Sequence, residues 1–260
     1  MRLALIGEHL SHSLSVPIHR AILRELGIPG AYRLEELPAA EFEARAGALM
    51  AELDGFNITI PYKRRIMPLL NALSPGATAI GAVNTAVRSE AGWTGHNTDA
   101  AGFAAMLRAS GMDPAGQACW VLGTGGASAA VVYALRELGA ARVTLVSRTP
   151  REGAVGYEQF AAEAAGLLVN TTPAGMFGQR DRCPLTQAQL RQALPRLSGV
   201  ADLIYNPPET PLTAAARRAG IPACTGLHML VAQAVEAQRL WQRRDIPDAL
   251  IPAIMKEVAL

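Results

Sequence analysis

The chain has 260 residues, half of them apolar, which is enough for one large domain or two smaller ones with hydrophobic cores. Its 24 basic and 22 acidic residues leave a net charge of +2, which gives no electrostatic basis for binding nucleic acid or an anionic membrane. The three cysteines are scattered and lack CxxC spacing, which argues against a disulfide framework or a zinc cluster. No apolar run reaches membrane-spanning length. These features predict a soluble, cytoplasmic protein without a metal site.

The first hundred residues alternate between strand and helix patterns. The predicted elements are strands at 3–7 and 31–37, helices at 17–26 and 41–52, a strand at 56–60, a helix near 65–73, a strand near 82–87 and a helix opening near Asp99. Alternation of this kind predicts an α/β domain with a largely parallel sheet.

Segment 55–63, GFNITIPYK, alternates apolar and polar residues, which is typical of a half-buried strand. Pro61 ends the ladder of hydrogen bonds, so Lys63 lies at or beyond the end of the strand, where open α/β sheets bind ligands. A lone lysine at this position would be a solvated surface residue, but Asp99 downstream can pair with it. An amine, a carboxylate and a hydride carrier are the components that an alcohol dehydrogenase needs.

A glycine-rich loop follows the apolar run 118–122, ACWVL, which is typical of a strand buried on both faces. Gly123, Gly125 and Gly126 then open a predicted helix. Glycines at these positions allow a tight turn and let a pyrophosphate approach the amino terminus of the helix. Ser128 occupies the third small position of this dinucleotide fingerprint, and a plain turn in an α/β protein remains the alternative.

The strand predicted at 142–147 ends beside Arg148, with Arg151 three residues further along. A site for NAD would place an acidic residue here for the ribose 2′-hydroxyl, whereas guanidinium groups suit a 2′-phosphate. The pattern favours NADP over NAD, and two solvated surface arginines are the alternative.

Polar side chains recur at the predicted ends of strands and helices. Ser13 and Ser15 precede a helix and could both face the carboxylate of one ligand, although capping of the helix would explain either serine alone. Hydroxyls, amides and a carboxylate in one crevice suit a polyhydroxylated ring. The remaining members of this polar set are Asn84, Thr85, Asn97, Thr98, Asp99 and Gln233.

Eight motifs, in order along nearly the whole chain, resemble those of the shikimate dehydrogenase family. They are GFNITIPYK, GAVNT (81–85), NTDAAG (97–102), GTGGAS, SRT (147–149), NTTPAGM (170–176), DLIYNPPETPL (202–212) and GLHMLVAQ (226–233). The resemblance implies a two-domain α/β fold, with a discontinuous substrate-binding domain (1–100 and 228–260) and a Rossmann-like NADP-binding domain (101–227). It implies NADP-linked interconversion of 3-dehydroshikimate and shikimate in aromatic amino-acid biosynthesis (the chorismate pathway), and we expect a monomer or homodimer.

By motif position, the resemblance also implies site residues. Lys63 and Asp99 match the catalytic pair. The implied substrate ligands are Ser13, Ser15, Thr59, Asn84, Thr98, Tyr205 and Gln233. The implied cofactor ligands are Gly123, Gly125, Gly126, Ala127, Ser147, Arg148, Thr149, Arg151, Thr171, Gly226 and Met229.

The chain departs from the family pattern between Thr149 and Asn170, where it is short. Segment 155–160, VGYEQF, predicts a strand and its turn, with the helix that usually precedes them absent and one side of the nucleotide domain thin. Two alternatives stay open: a quinate/shikimate or aminoshikimate dehydrogenase with the same motifs, and a shikimate- or dinucleotide-binding homologue without turnover. The presence of both Lys63 and Asp99 argues against the second.

Overall fold

The computed structural model describes residues 1–149 and 152–258. The chain divides into two units, one made of Met1–Gly102 with Val231–Leu260 and the other of Phe103–Leu230. Each unit contains its own sheet and its own buried apolar cluster. The first unit is therefore discontinuous in sequence, and the second is inserted into it.

The first unit is built on a mixed sheet with the strand order β2-β1-β3-β5-β6-β4, in which β5 alone runs against its neighbours. Its elements in chain order are β1 (Arg2–Gly7), α1 (Ser15–Glu25), β2 (Ala31–Glu36), α2 (Phe42–Glu52), β3 (Gly55–Ile58), β4 (Ala72–Leu73), α3 (Pro75–Ile80), β5 (Thr85–Ser89), β6 (Gly92–His96) and the beginning of α4 (Asp99–Ala109). Short 3₁₀ turns occupy Ala39–Glu41 and Met67–Leu69.

One edge of this sheet collects the segments that carry the predicted site residues. The carboxyl ends of β1, β3 and β6 point to this edge, and β5 begins there because it is antiparallel. Loops that are far apart in sequence are therefore neighbours at the edge.

Two predictions for this unit are wrong, and one strand was not predicted. The expected helix near 65–73 is a turn with a 3₁₀ segment, because Pro68 lacks the N–H that a helix interior requires. Strand β6 was not anticipated. The strand predicted at 56–60 ends at Ile58 and is buried on both faces, whereas Ile60 is 71% exposed. The polar Asn57 therefore lies inside the sheet.

The second unit has a parallel sheet with the order β12-β11-β10-β7-β8-β9. Its elements are β7 (Ala118–Leu122), α5 (Gly126–Glu137), β8 (Arg142–Val146), β9 (Ala154–Val155), α6 (Tyr157–Glu163), β10 (Gly166–Asn170), α7 (Gln187–Ala193), β11 (Leu197–Asp202), α8 (Pro211–Arg218), β12 (Ala223–Thr225) and the beginning of α9 (Leu227–Gln242). Numbered within this unit from β7, the order is 3-2-1-4-5-6 when read from β9, that of the doubly wound dinucleotide fold. The predicted two-domain α/β fold is confirmed.

The shortened segment is built differently from the prediction. Its strand is only Ala154–Val155, and residues 157–160 of VGYEQF belong to α6. Phe160 and Ala161 are fully buried in this short helix, so the strand and turn predicted from the spacing of the segment are wrong. The described part of the connection between β8 and β9 contains no helix.

The end of the chain returns to the first unit. Helix α9 carries Trp241, whose indole Nε1–H donates to the carbonyl of Ala86 on β5 at 2.9 Å. A Cβ on Gly55 of β3 would clash with the same indole nitrogen, so this strand needs glycine where the indole lies against it. Helix α10 (Leu250–Val258) then packs against α1.

A buried histidine lies in the same region. His19 of α1 is fully buried and stacks on Tyr32, with ring centroids 4.0 Å apart and planes 10° apart. Gln238 of α9 contacts the Nδ1 atom of the imidazole at 3.0 Å. Burial lowers the pKa of His19 from 6.5 to about 3, with Asn57 acting in the opposite direction. The ring is therefore neutral at physiological pH.

We expect the stability of the first unit to fall as the pH decreases from 6.5 towards 3. In that interval His19 is protonated in the unfolded chain but not in the folded one, so acid favours unfolding, by up to ~1.4 kcal/mol per pH unit. His19→Gln should flatten this dependence when the urea midpoint is measured at a series of pH values.

The informative quantity is the difference between the urea midpoints of wild type and His19→Gln at each pH. Asp202, whose pKa burial raises to about 6, contributes with the opposite sign and is common to both proteins. Parallel curves for the two proteins would show that His19 does not titrate in this way.

Candidate active site

Lys63 and Asp99 form a close ion pair at the edge of the first sheet where β1, β3 and β6 end and β5 begins. The Lys63 Nζ atom lies 2.6 Å from Asp99 Oδ2, and the two side chains are 18% and 13% exposed. Lys63 follows β3, where its carbonyl accepts from the N–H of Val83 at 2.8 Å, and Asp99 is the first residue of α4. The predicted pairing is present, and a partly desolvated ammonium lies next to open surface.

The second oxygen of Asp99 is held by Asn84. Asn84 Nδ2 donates to Asp99 Oδ1 at 2.8 Å and to Thr98 Oγ1 at 3.0 Å, and its Oδ1 accepts from the N–H of Thr98 at 2.7 Å. Thr98 also lies 3.4 Å, between side-chain oxygens, from Gln233 of α9. Two predicted site residues, Lys63 and Asn84, therefore contact the Asp99 carboxylate and fix its orientation. Two more, Thr98 and Gln233, are linked to it through Asn84.

The predicted serines and Thr59 lie at the same edge. Ser15 opens α1 and its N–H donates to Ser13 Oγ at 3.2 Å, while both side chains remain partly exposed. Thr59 comes directly after β3, where its N–H donates to the carbonyl of Ile6 at 2.9 Å. The ends of β1 and β3 are paired neighbours, which brings these hydroxyls to one side of the sheet.

Below this surface is a polar layer in which sequence reasoning had identified Thr85 as a candidate but not Tyr32 or Asn57. The Tyr32 hydroxyl donates to Asn57 Oδ1 at 2.7 Å, and Asn57 Nδ2 donates to Thr85 Oγ1 at 2.9 Å. All three side chains are at least 95% buried. The sequence did contain a sign of this layer, since Asn57 lies between the apolar Phe56 and Ile58. The alternating pattern led to the prediction that its side chain faces solvent.

The glycine loop of the second unit follows β7. Gly123 has a φ of +102°, and a Cβ there would lie 2.7 Å from Thr171 Oγ1, so the fold itself requires this glycine. By contrast, a Cβ on Gly125 or Gly126 would meet no described atom within 4 Å. Ser128 fits the third position because its buried hydroxyl donates to the carbonyl of Gly125 at 2.6 Å.

The other predicted cofactor residues follow the carboxyl ends of the parallel strands or begin helices. Ser147, Arg148 and Thr149 follow β8, Thr171 follows β10, and Gly226 follows β12. Gly226 lies tightly against the backbone of Leu203, since a Cβ at position 226 would clash with the carbonyl oxygen of Leu203. The remaining cofactor residues are Ala127 on α5, Met229 on α9 and Arg151, which lies outside the described residues. Tyr205, which was predicted as a substrate ligand, is partly buried and follows β11.

Beside Arg148 is a cavity of about 380 Å³, lined in part by Ser147, Tyr157 and Gln189. Arg148 itself is exposed, and its charge opposes the rise that burial causes in the pKa of Tyr157. The lining includes one cation, Arg148, and one carboxylate, Glu158. An exposed guanidinium after the second strand suits an anionic group of a nucleotide.

Asp202 is a second buried carboxylate that the sequence did not reveal. It accepts from Asn170 Nδ2 at 2.9 Å, from the N–H of Ile204 at 3.1 Å and from the Thr210 hydroxyl at 2.8 Å. Burial raises its pKa to about 6, and these three donors oppose the rise. Asp202 thereby ties together the loops after β10 and β11.

Among residues 1–149 and 152–258, no group of histidine, cysteine, aspartate and glutamate side chains could hold a metal ion. Nor does any helix in this part of the chain have the length and apolar character needed to cross a membrane.

Comparison with known proteins identifies the family. Residues 5–86 match the family described as the shikimate dehydrogenase substrate binding domain. The chain is 36% identical to shikimate dehydrogenase (NADP(+)) of Moorella thermoacetica over 98% of this chain and 92% of that protein, and 38% identical to the enzyme of Trichormus variabilis over 99% and 97%. A crystal structure of shikimate 5-dehydrogenase from Thermus thermophilus, in complex with NADP(H) and shikimate, superposes with a TM-score of 0.89 at 34% identity, covering 99% of each chain. The chain belongs to the shikimate dehydrogenase family.

Proposed function

We propose that this protein catalyses the reversible, NADP-dependent reduction of 3-dehydroshikimate to shikimate in aromatic amino-acid biosynthesis. The observation that carries the proposal is the Lys63–Asp99 pair at the sheet edge, 2.6 Å between Nζ and Oδ2, in a chain whose relatives are NADP-dependent shikimate dehydrogenases. The unit Met1–Gly102 with Val231–Leu260 binds the substrate, and the unit Phe103–Leu230 binds the cofactor.

The chemistry assigned to the pair is proton transfer. When bound, NADPH supplies the hydride that reduces the C3 carbonyl of the substrate. As negative charge develops on the carbonyl oxygen, the Lys63 ammonium donates the proton that completes the hydroxyl group. Asp99 holds this ammonium through Oδ2, and its remaining lone pairs can accept a hydrogen bond from a substrate hydroxyl. In the oxidative direction the same amine accepts the proton.

The hydroxyls and amides at the edge hold the substrate. Ser13 and Ser15 bind its carboxylate through their hydroxyls at the beginning of α1, since the N–H of Ser15 already donates to Ser13 Oγ and Pro17 has none. The ring hydroxyls contact Thr59, Asn84, Thr98 and Gln233, and Tyr205 is assigned to the substrate carboxylate by its motif position. Every partner in this scheme is a small molecule, and the protein acts in the cytoplasm as a monomer or homodimer.

The second unit fits NADP on its own geometry. Gly125 and Gly126 leave the backbone at the beginning of α5 open to a pyrophosphate, although the fold does not need glycine at either position. Arg148, at the end of β8, provides the guanidinium for the 2′-phosphate. Ser147, Thr149 and Thr171 add hydroxyls, and Ala127, Gly226 and Met229 complete the binding surface, with Arg151 as a further cation.

The direct test is the reduction of NADP with shikimate as substrate, followed through NADPH absorbance, with NAD and quinate as controls. We expect a clear preference for shikimate and NADP. Comparable rates with quinate would identify a quinate/shikimate dehydrogenase. Binding of both ligands without turnover would contradict the proposal and identify a non-catalytic homologue.

Lys63→Ala should lower kcat by orders of magnitude and change substrate affinity much less, because a proton donor acts mainly in the transition state. Lys256→Ala, which removes an exposed lysine from the last turn of α10, is the matched control and should leave kcat unchanged. A raised KM with normal kcat in Lys63→Ala would make Lys63 a binding residue.

Gly125→Ala should fold normally but bind NADP at least about tenfold more weakly, the size of one lost hydrogen bond to a charged group. The new methyl group meets no described atom, and φ at this position is −84°, which alanine accepts. Gly123→Ala is the contrasting variant, in which a φ of +102° and the contact with Thr171 should cost ~1–3 kcal/mol of stability. Thermal melts and NADP titrations separate the two effects, and normal NADP affinity in Gly125→Ala would place the pyrophosphate elsewhere.

Arg148→Ala should greatly reduce kcat/KM for NADP and leave the weaker reaction with NAD nearly unchanged, since NAD has no 2′-phosphate. Arg136→Ala, on the exposed side of α5, controls for loss of positive charge from this unit. Equal losses with both cofactors would mean that Arg148 supports the fold and does not bind the phosphate.

A further inference from the structure

A continuous chain of buried hydrogen bonds runs beneath the Lys63–Asp99 pair. It begins at the Tyr32 hydroxyl on β2, passes through Asn57 of β3 and Thr85 of β5, and reaches Asp99 through Asn84. The successive donor–acceptor distances are 2.7 Å (Tyr32 to Asn57), 2.9 Å (Asn57 to Thr85), 3.0 Å (Thr85 to Asn84) and 2.8 Å (Asn84 to Asp99). Each of these residues exposes 9% of its surface or less.

The direction of donation is consistent along this chain, and backbone groups fix it at both asparagines: Asn57 Nδ2 donates to the Asn84 carbonyl at 3.1 Å, and Asn84 Oδ1 accepts from the N–H of Thr98 at 2.7 Å. Because the Tyr32 hydroxyl donates to Asn57 Oδ1, the amide hydrogens of Asn57 must point the other way, to Thr85 Oγ1 and to the Asn84 carbonyl. Thr85 accepts there and so directs its own proton to Asn84 Oδ1. The Asn84 amide nitrogen is then left facing Asp99.

Reversing any one of these groups would leave a buried donor facing a donor, which costs the desolvation energy of an unmade hydrogen bond. The Tyr32 ring that starts the sequence is itself restrained, since His19 stacks on it at 4.0 Å and Ser15 approaches its hydroxyl. The chain of hydrogen bonds therefore links Tyr32 to the carboxylate that holds Lys63.

We propose that Tyr32 and Asn57 are positioning residues for the Lys63–Asp99 pair, an inference that rests on the proposed function of that pair. Neither residue contacts Lys63 or Asp99 directly among the hydrogen bonds of the described residues. They reach the pair through Thr85 and Asn84, whose oxygen atoms accept from Asn57. Their polar groups thus serve orientation at the edge of the sheet.

Two network variants and one control test the proposal. Tyr32→Phe removes the initial donor, and Asn57→Asp keeps the acceptor for Tyr32 but removes both donations towards Asn84 and Thr85. Tyr62→Phe is the matched control: it also removes a buried tyrosine hydroxyl, here bonded to the Leu37 carbonyl, while its ring stays stacked on Phe42. Because Tyr62 adjoins Lys63 in sequence, this control is a stringent one.

The first readout is kinetic. We expect kcat to fall about 10- to 100-fold in Tyr32→Phe and Asn57→Asp, with a smaller change in KM, and to stay near wild type in Tyr62→Phe. In an Asp99→Asn background, Tyr32→Phe should have no further effect on kcat, because it acts through the carboxylate. Equal kcat values for Tyr32→Phe and Tyr62→Phe, or losses that add in the double variant, would overturn the proposal.

The second readout does not depend on activity. The sequence contains two lysines, Lys63 and Lys256, so protein labelled with ¹³C-lysine gives one side-chain NMR signal from the site and one internal reference. The Lys63 signal should shift in Tyr32→Phe and Asn57→Asp but not in Tyr62→Phe, and Lys256 should not move. If these shifts occur in a protein that does not oxidise shikimate, the positioning stands and the proposed function fails; an unmoved Lys63 signal refutes the positioning.

Discussion

One carboxamide, that of Asn84, joins the parts of the first site. Its oxygen accepts from the backbone of Thr98, and its nitrogen donates to Asp99, so the loop before α4 and the start of β5 are fixed to each other. Asp99 in turn holds Lys63 from the loop after β3. Without this amide, three loops would meet at the sheet edge with no common partner, and a buried charge pair would lose its orientation.

The antiparallel strand β5 makes this arrangement possible. Because β5 begins at the edge where β3 and β6 end, Asn84, which precedes β5, lies beside the segments that carry Lys63 and Asp99. The second unit has no reversed strand in its described sheet, and its described candidate residues follow the carboxyl ends of strands or lie in the first turn of the next helix. Each unit thus places its polar loops at one edge of a sheet through a different topology.

The sequence allowed the fold class, the lysine–aspartate pairing and the glycine loop to be predicted, because each depends on local motifs. It did not reveal the role of Asn57, since alternation assigns every second residue of a strand to solvent, whereas β3 lies in the middle of a sheet covered on both faces. The helix expected near 65–73 failed because apolar spacing outweighed Pro68. Asp202 was missed because its burial depends on Asn170 and Thr210, which only the fold brings together.

The return of α9 to the first unit has a consequence for the order of folding. All strands of the second sheet exist once residue 230 has been synthesised, so that unit can complete its core from a continuous piece of chain. The first unit must wait, because the surface over Gly55 and Ala86 is covered by Trp241, near the far end of the sequence. Pairing such distant segments is slow because closing a long loop costs entropy before any contact forms. During synthesis the half of the protein that carries Lys63 and Asp99 is therefore the last to become ordered, and its apolar face is exposed to chaperones and aggregation until then.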